Sequence, residues 1–165
     1  MATTTLGGNP VNTVGELPSV GSQAPAFTLT SSEMAEVTLA GLAGTRVILN
    51  IFPSIDTGIC ATSTRKFNEL AAGLDNTTVV CVSADLPFAL KRFCGAEGIE
   101  NVTTASTFRS SFGDDYGVKM ADGRLAALMA RSVVVIDAAG KVIYTQLCPS
   151  IGEEPNYDAA IAALA

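Results

Sequence analysis

The chain has no histidine, which removes Ser-His and Cys-His catalysis, mixed Cys/His zinc sites and the HExxH metalloprotease motif. Chemistry near neutral pH then falls to cysteine, carboxylates, arginine or a bound cofactor. The cysteines are Cys60, Cys81, Cys94 and Cys148. No two stand in a CxxC, so neither a zinc ribbon nor a redox pair of that spacing fits. Cys60 lies where a buried apolar run has ended and a helical pattern begins. The free backbone N–H groups and the dipole at such a junction favour a thiolate. Thr57, three residues earlier, brings a hydroxyl near that sulfur. Arg131 is the other outlier, standing between Leu125–Ala130 and Ser132–Ile136, a stretch with no other charge. A guanidinium carried into a core by such a run needs an anion or several acceptors, and a thiolate is such an anion. Position alone leaves second readings open. Cys60 also fits as a small packed cysteine with Thr57 a capping residue, and Arg131 as a side chain that reaches the surface or pairs with Asp56 or Asp137.

The elements that must position these residues come from one chain of 165 residues, read as a single domain over 1–165. Hydrophobic residues make up 48% and charged ones 16%, the balance of a packed globule. Acidic residues outnumber basic ones, 16 to 10, for a net charge of −6. Nucleic-acid backbones call for clustered Lys and Arg, so no nucleic-acid partner is expected. No apolar run approaches the ~18 residues of a membrane span, so no membrane partner is expected either. The first basic residue is Arg46, so neither a secretory signal nor a transit peptide is expected and a cytoplasmic location follows as the expectation.

Along the chain, Gly7-Gly8-Asn9-Pro10 predicts the turn of a β-hairpin extension over about residues 1–20. Ala24–Leu29 reads as the entry to a strand, and Val47–Phe52, halted by Pro53, as a strand buried on both faces. Phe67, Leu70, Ala71 and Leu74 recur at helical spacing, predicting a helix from about Cys60 to Leu74. Val79–Ala84 is the next buried strand. Asp85 suits an N-cap and Pro87 an early helical position. Leu90, Phe93 and Cys94 continue that helix to Gly95 or Gly98, and Phe88, Leu90 and Phe93 form a stripe expected in the core, with the lining of an apolar substrate groove or a dimer contact left open for part of it. Val133–Asp137 and Lys141–Leu147 are strands joined by Ala138-Ala139-Gly140, and Tyr157–Leu164 is a closing helix. This order predicts an α/β, thioredoxin-like fold, a central mixed sheet flanked by helices. Cys81, mid-strand between valines, reads as packed core. Cys148, before Pro149, reads as inert or as a minor redox site.

Pro53, Thr57 and Cys60 stand at the spacing of the peroxiredoxin signature, PxxxTxxC. The text around them, Asn50–Thr57, and the segments Ser83–Ala89, Arg92–Gly98, Ser106–Arg109 and Ala130–Asp137 resemble the thiol peroxidase subfamily of peroxiredoxins, the atypical two-cysteine kind. The resemblance runs from about Thr5 to the C-terminus. It implies that Cys60 is the peroxidatic cysteine and Cys94 the resolving one. It implies further that Thr57 and Arg131 bind peroxide and activate the sulfur, while Pro53 shields the pocket. The substrates implied are alkyl hydroperoxides and hydrogen peroxide, the reductant thioredoxin, the assembly a homodimer, with no cofactor and no metal. A disulfide needs Cα atoms within about 7 Å, and Cys60 and Cys94 belong to two separate helices, so distinct reduced and oxidised conformations are expected. Two other classes compete: a thioredoxin-like binding module without turnover, which would lack Thr57 or Arg131, and a general disulfide reductase, which would need a CxxC.

Overall fold

The computed structural model describes residues 1–165. An N-terminal hairpin pairs β1 (Thr3–Leu6) with β2 (Asn9–Asn12) in antiparallel register, Leu6 opposite Asn9. Its turn is Gly7-Gly8, both at positive φ, the left-handed region that a two-residue hairpin turn requires. The main sheet contains β3 (Thr28–Ser31), β4 (Glu36–Thr38), β5 (Arg46–Ile51), β6 (Thr77–Ser83), β7 (Thr103–Ser106), β8 (Ser132–Ile136) and β9 (Val142–Leu147). Its spatial order is β4-β3-β7-β6-β5-β8-β9. β5, β6 and β7 run parallel, while β8 joins β5 and β3 joins β7 antiparallel. The helices are α1 (Gly58–Ala71), α2 (Pro87–Glu97), α3 (Phe112–Asp115) and α4 (Tyr157–Ala162).

Apolar residues on successive positions of the central strands divide between two cores, as the period-two geometry of a strand demands. Val47, Leu49 and Ile51 of β5, Val80 and Val82 of β6, and Val134 and Ile136 of β8 point to one side, against Phe27, Phe112 and Tyr116. Ile48 of β5, Val79 and Cys81 of β6, and Val133 and Val135 of β8 point to the other, against α1, α2 and α4. Each such aliphatic side chain is essentially without exposure, and truncating one to Ala costs about 2–5 kcal/mol. The mixed sheet flanked by helices and the N-terminal hairpin are therefore as expected.

Four local expectations shift. α1 starts at Gly58, so Cys60 sits inside its first turn rather than at its edge. β4, β7 and α3 lacked a clear signal: β7 is only Thr103–Ser106, and the strand entry at Ala24 becomes strand only from Thr28. The residue capping α2 is Leu86, with Pro87 first in the helix, and Asp85 is used elsewhere. Gly98, at φ 65°, ends α2 in the left-handed conformation that glycine adopts without penalty. Phe88 leaves the expected core stripe and is 69% exposed, whereas Leu90 and Phe93 are buried. No helix is long and apolar enough to cross a membrane.

Candidate active site

The parallel pair β5–β6 ends in two loops that lie side by side at one end of the sheet. The first runs from Phe52 to Thr57 and leads into α1. Phe52, Pro53 and Ile55 are buried, Asp56 and Thr57 exposed. Thr57 takes the extended backbone of an N-cap residue, but its hydroxyl donates to the Ser54 carbonyl at 2.9 Å instead of capping the helix. The amides of the first turn are thus left without intrahelical acceptors, and Cys60 is third in that turn. Its carbonyl accepts the Ser63 and Thr64 hydroxyls, each at 3.0 Å. Below them Asn50 of β5 donates to Ser63 Oγ at 3.3 Å and to Cys81 Sγ at 3.6 Å. A small polar layer therefore backs the helix turn that carries Cys60.

Arg131 precedes β8, whose Ser132 pairs with Ile51 at the end of β5. The register brings the guanidinium alongside the Cys60 turn from a distance of 71 residues in sequence. Nη2 donates to Cys60 Sγ at 3.2 Å and Nε to the Ile151 carbonyl at 2.7 Å. Arg131 is 1% exposed, and its Nη1 is buried without a partner. The carboxylates that offered an alternative are occupied. Asp56 pairs with Arg92 at 2.9 Å, and Asp137 accepts the Ala139 and Lys141 amides in the β8–β9 turn. A buried guanidinium with one N–H on a sulfur and another unspent can receive an anion or an oxygen developing charge.

Asp85 spans the two loops. Its carboxylate accepts Ser54 Oγ at 2.7 Å, the Ile55 amide at 2.7 Å and Ser83 Oγ at 2.6 Å. The sequence signal, an acid before Pro87, suggested a cap for α2; the residue instead holds the loop before Cys60. Two exposed ion pairs, Asp56–Arg92 and Arg65–Glu97, also run between the Cys60 region and α2.

All four cysteines are free thiols. Cys94, in α2, is half-buried, with Sγ 3.4 Å from Thr104 Oγ1. Burial pushes the Cys81 thiol up to about 12. Burial likewise pushes Cys148 up to about 11, with the Arg131 charge opposing. Both therefore hold their protons at neutral pH, as packed thiols do. The structure thus brings Cys60, Arg131, Thr57 and Pro53 to one end of the sheet and sets Cys94 on the neighbouring helix. The missed contributors were Asp85, with a misleading signal, and the Ile151 carbonyl, which as a backbone atom has none.

Comparison with known proteins adds the family. Residues 19–161 match the Redoxin family model. The chain is 62% identical over 164 residues to a thiol peroxidase of Mycobacterium tuberculosis, covering 99% of each. It is 58% identical over 164 residues, again 99% of each, to a thiol peroxidase of Corynebacterium glutamicum. Among solved structures it superposes on a peroxiredoxin-like protein from Aquifex aeolicus with a TM-score of 0.94 at 44% identity, covering 98% of this chain and 95% of that one.

Proposed function

Because the chain belongs to the Redoxin family, among its thiol peroxidases, we propose that Cys60 takes oxygen from the peroxide and Cys94 closes a disulfide onto it. The enzyme reduces peroxides at the expense of a thiol. The observation that carries the residue assignment is the 3.2 Å contact of Arg131 Nη2 with Cys60 Sγ, beside a buried Nη1 that has no other acceptor.

The Cys60 thiolate attacks the terminal oxygen of ROOH, the O–O bond breaks, and RO⁻ leaves to take a proton as alcohol, or as water when R is hydrogen. The sulfur is left as sulfenic acid. Arg131 holds charge on the sulfur and then on the oxygens, a fixed donor where charge develops. Thr57 spends its one hydroxyl proton on Ser54, so its oxygen is free to accept the peroxide O–H. Pro53, buried at the loop's start, keeps water from the sulfur. The Cys94 thiol then condenses with the sulfenic acid, releasing water and forming the Cys60–Cys94 disulfide. A dithiol reductant of the thioredoxin type opens it by exchange. The chain acts as a homodimer in the cytoplasm, one thioredoxin-like domain per subunit, and needs neither metal nor cofactor.

The test is consumption of cumene hydroperoxide and hydrogen peroxide with thioredoxin, thioredoxin reductase and NADPH. Cys60→Ser is expected to be inactive, and Cys94→Ser to oxidise once but lose thioredoxin-linked recycling. Full activity in Cys60→Ser would sink the assignment. Normal recycling in Cys94→Ser would move resolution to another thiol.

A further inference from the structure

The hairpin β1–β2 lies wholly outside the residues matched by the family model, which begin at 19. We infer that this hairpin is a positioning element for the Arg131 guanidinium, acting through the segment 148–151. The inference rests on the role given to Arg131 above.

The path is continuous. The Thr4 hydroxyl donates to the Cys148 carbonyl at 2.8 Å, and the Thr5 hydroxyl and amide both donate to the Pro149 carbonyl, at 2.9 and 3.1 Å. The Ile151 amide donates back to the Thr5 carbonyl at 2.8 Å. From the other side, the Cys148 amide donates to the Arg131 carbonyl at 3.0 Å, and the Ile151 carbonyl receives Arg131 Nε at 2.7 Å. Segment 148–151 thus holds Arg131 by its backbone at one end and by its side chain at the other.

That segment forms neither helix nor strand, so its conformation has to be imposed by what it touches. The hairpin supplies the hydrogen bonds on its outer side, and Thr4, 1% exposed, makes its bond out of water. Packing repeats the connection: Val11 of β2 shares a buried cluster with Ile151 and with Ala130, the neighbour of Arg131. A guanidinium is a rigid planar fork. Fixing Nε on the Ile151 carbonyl therefore also fixes where Nη1 and Nη2 point, and Nη2 is the atom on Cys60. A shift of that carbonyl by about 1 Å is enough to cost up to about a hundred-fold in rate.

The full chain is tested with Thr4→Val plus Thr5→Val, which removes both hydroxyls, and with Thr4→Ser plus Thr5→Ser, which keeps them. Each pair is made with Arg131 and with Arg131→Ala. Stopped-flow measures oxidation of Cys60 by cumene hydroperoxide separately from closure of the disulfide. The valine pair is expected to slow oxidation about ten-fold, leaving disulfide closure unchanged and the serine pair at the wild-type rate. In the Arg131→Ala background the valine pair is expected to change oxidation by less than about two-fold, as two residues acting through one path require. An equal loss in both backgrounds, or no loss with Arg131 present, overturns the inference. Should the valine pair fail to fold, Val11→Ala enters the same cycle with the same expectations. A wild-type oxidation rate in Arg131→Ala alone overturns the role of Arg131 itself, a separate failure.

Discussion

The Asp85 carboxylate accepts the amide of Ile55 at 2.7 Å across 30 residues of sequence, joining the loop that enters α2 to the loop that enters α1. Both cysteines assigned to the reaction follow these two loops, so one side chain sets the spacing between the elements that must later move together. With Ser54 and Ser83 also donating to it, the half-buried carboxylate has three acceptor bonds, each of the stronger, charge-assisted kind.

Asp85→Ala is expected to cost about 1.5–3 kcal/mol, the range for hydrogen bonds to a charged group. A melting temperature several degrees lower reads that loss. Oxidation of Cys60 should slow about ten-fold, because the loop setting its turn has lost its anchor. Asp85→Asn, which keeps one acceptor, should fall between. An Ala variant with native oxidation kinetics would limit Asp85 to stability alone.

Arg131→Lys keeps the charge and loses the fork. A lysine ammonium cannot hold the Ile151 carbonyl and the Cys60 sulfur in the fixed geometry of Nε and Nη2. The oxidation step should fall by about 10²–10³, the cost of removing one preorganised donor at a site of developing charge. Single-turnover kinetics against hydrogen peroxide check it, and a loss confined to KM would mean that Arg131 only binds.

Closure of the Cys60–Cys94 disulfide should unwind the helix turns that carry the two sulfurs. In the reduced structure the Cys60 carbonyl is held by Ser63 and Thr64, and Cys94 sits in α2 against Thr104. Amides of residues 58–64 and 94–98 are expected to exchange faster in the oxidised protein, with the β5 and β8 amides unchanged. Identical exchange in both redox states would count against the two-helix disulfide.

Two thiols should be silent. Cys81 and Cys148 are buried, with their thiols pushed up to about 12 and about 11, so alkylation of the native protein at pH 8 should leave both unlabelled. The same shift carries a stability consequence. The unfolded Cys81 ionises near 9.0 and the folded one near 12, so between those values the unfolded chain binds fewer protons than the native one. Stability contributed by burying the neutral thiol is therefore complete below about 9 and is lost as pH rises toward 12. Denaturant titrations across that window should show a shallower fall in Cys81→Ala than in the wild type.

Much of this was legible in the residues themselves. The buried strand halted at Pro53 and the helical period after Cys60 placed that cysteine at a strand-to-helix junction. A lone arginine in an uncharged run, Leu125–Ile136, marked Arg131 as a group that needs an anion or several acceptors if it enters the core. Asp85 was misread because an acid before a proline carries the same local signature whether it caps its own helix or reaches another loop. Of the stripe Phe88, Leu90 and Phe93, only the last two are core, because helical spacing alone does not say where a buried face ends, and Phe88 is 69% exposed. The short strand Thr103–Ser106 has too few apolar residues to alternate visibly.

By itself the sequence determined which chemistry was available: no histidine, four cysteines without a CxxC, one uncompensated arginine, and apolar runs that must bury themselves on two faces of a sheet. Those are properties of composition and short-range period, which tertiary contacts do not change. Only the tertiary structure decided that Arg131 meets Cys60 and not Asp56 or Asp137. It also decided that Asp85 serves a loop 30 residues away, and that a backbone carbonyl at Ile151 orients the guanidinium. Such contacts arise from strand register and chain crossing, and the bonding of a side chain depends on the partner that folding delivers within about 3 Å of it.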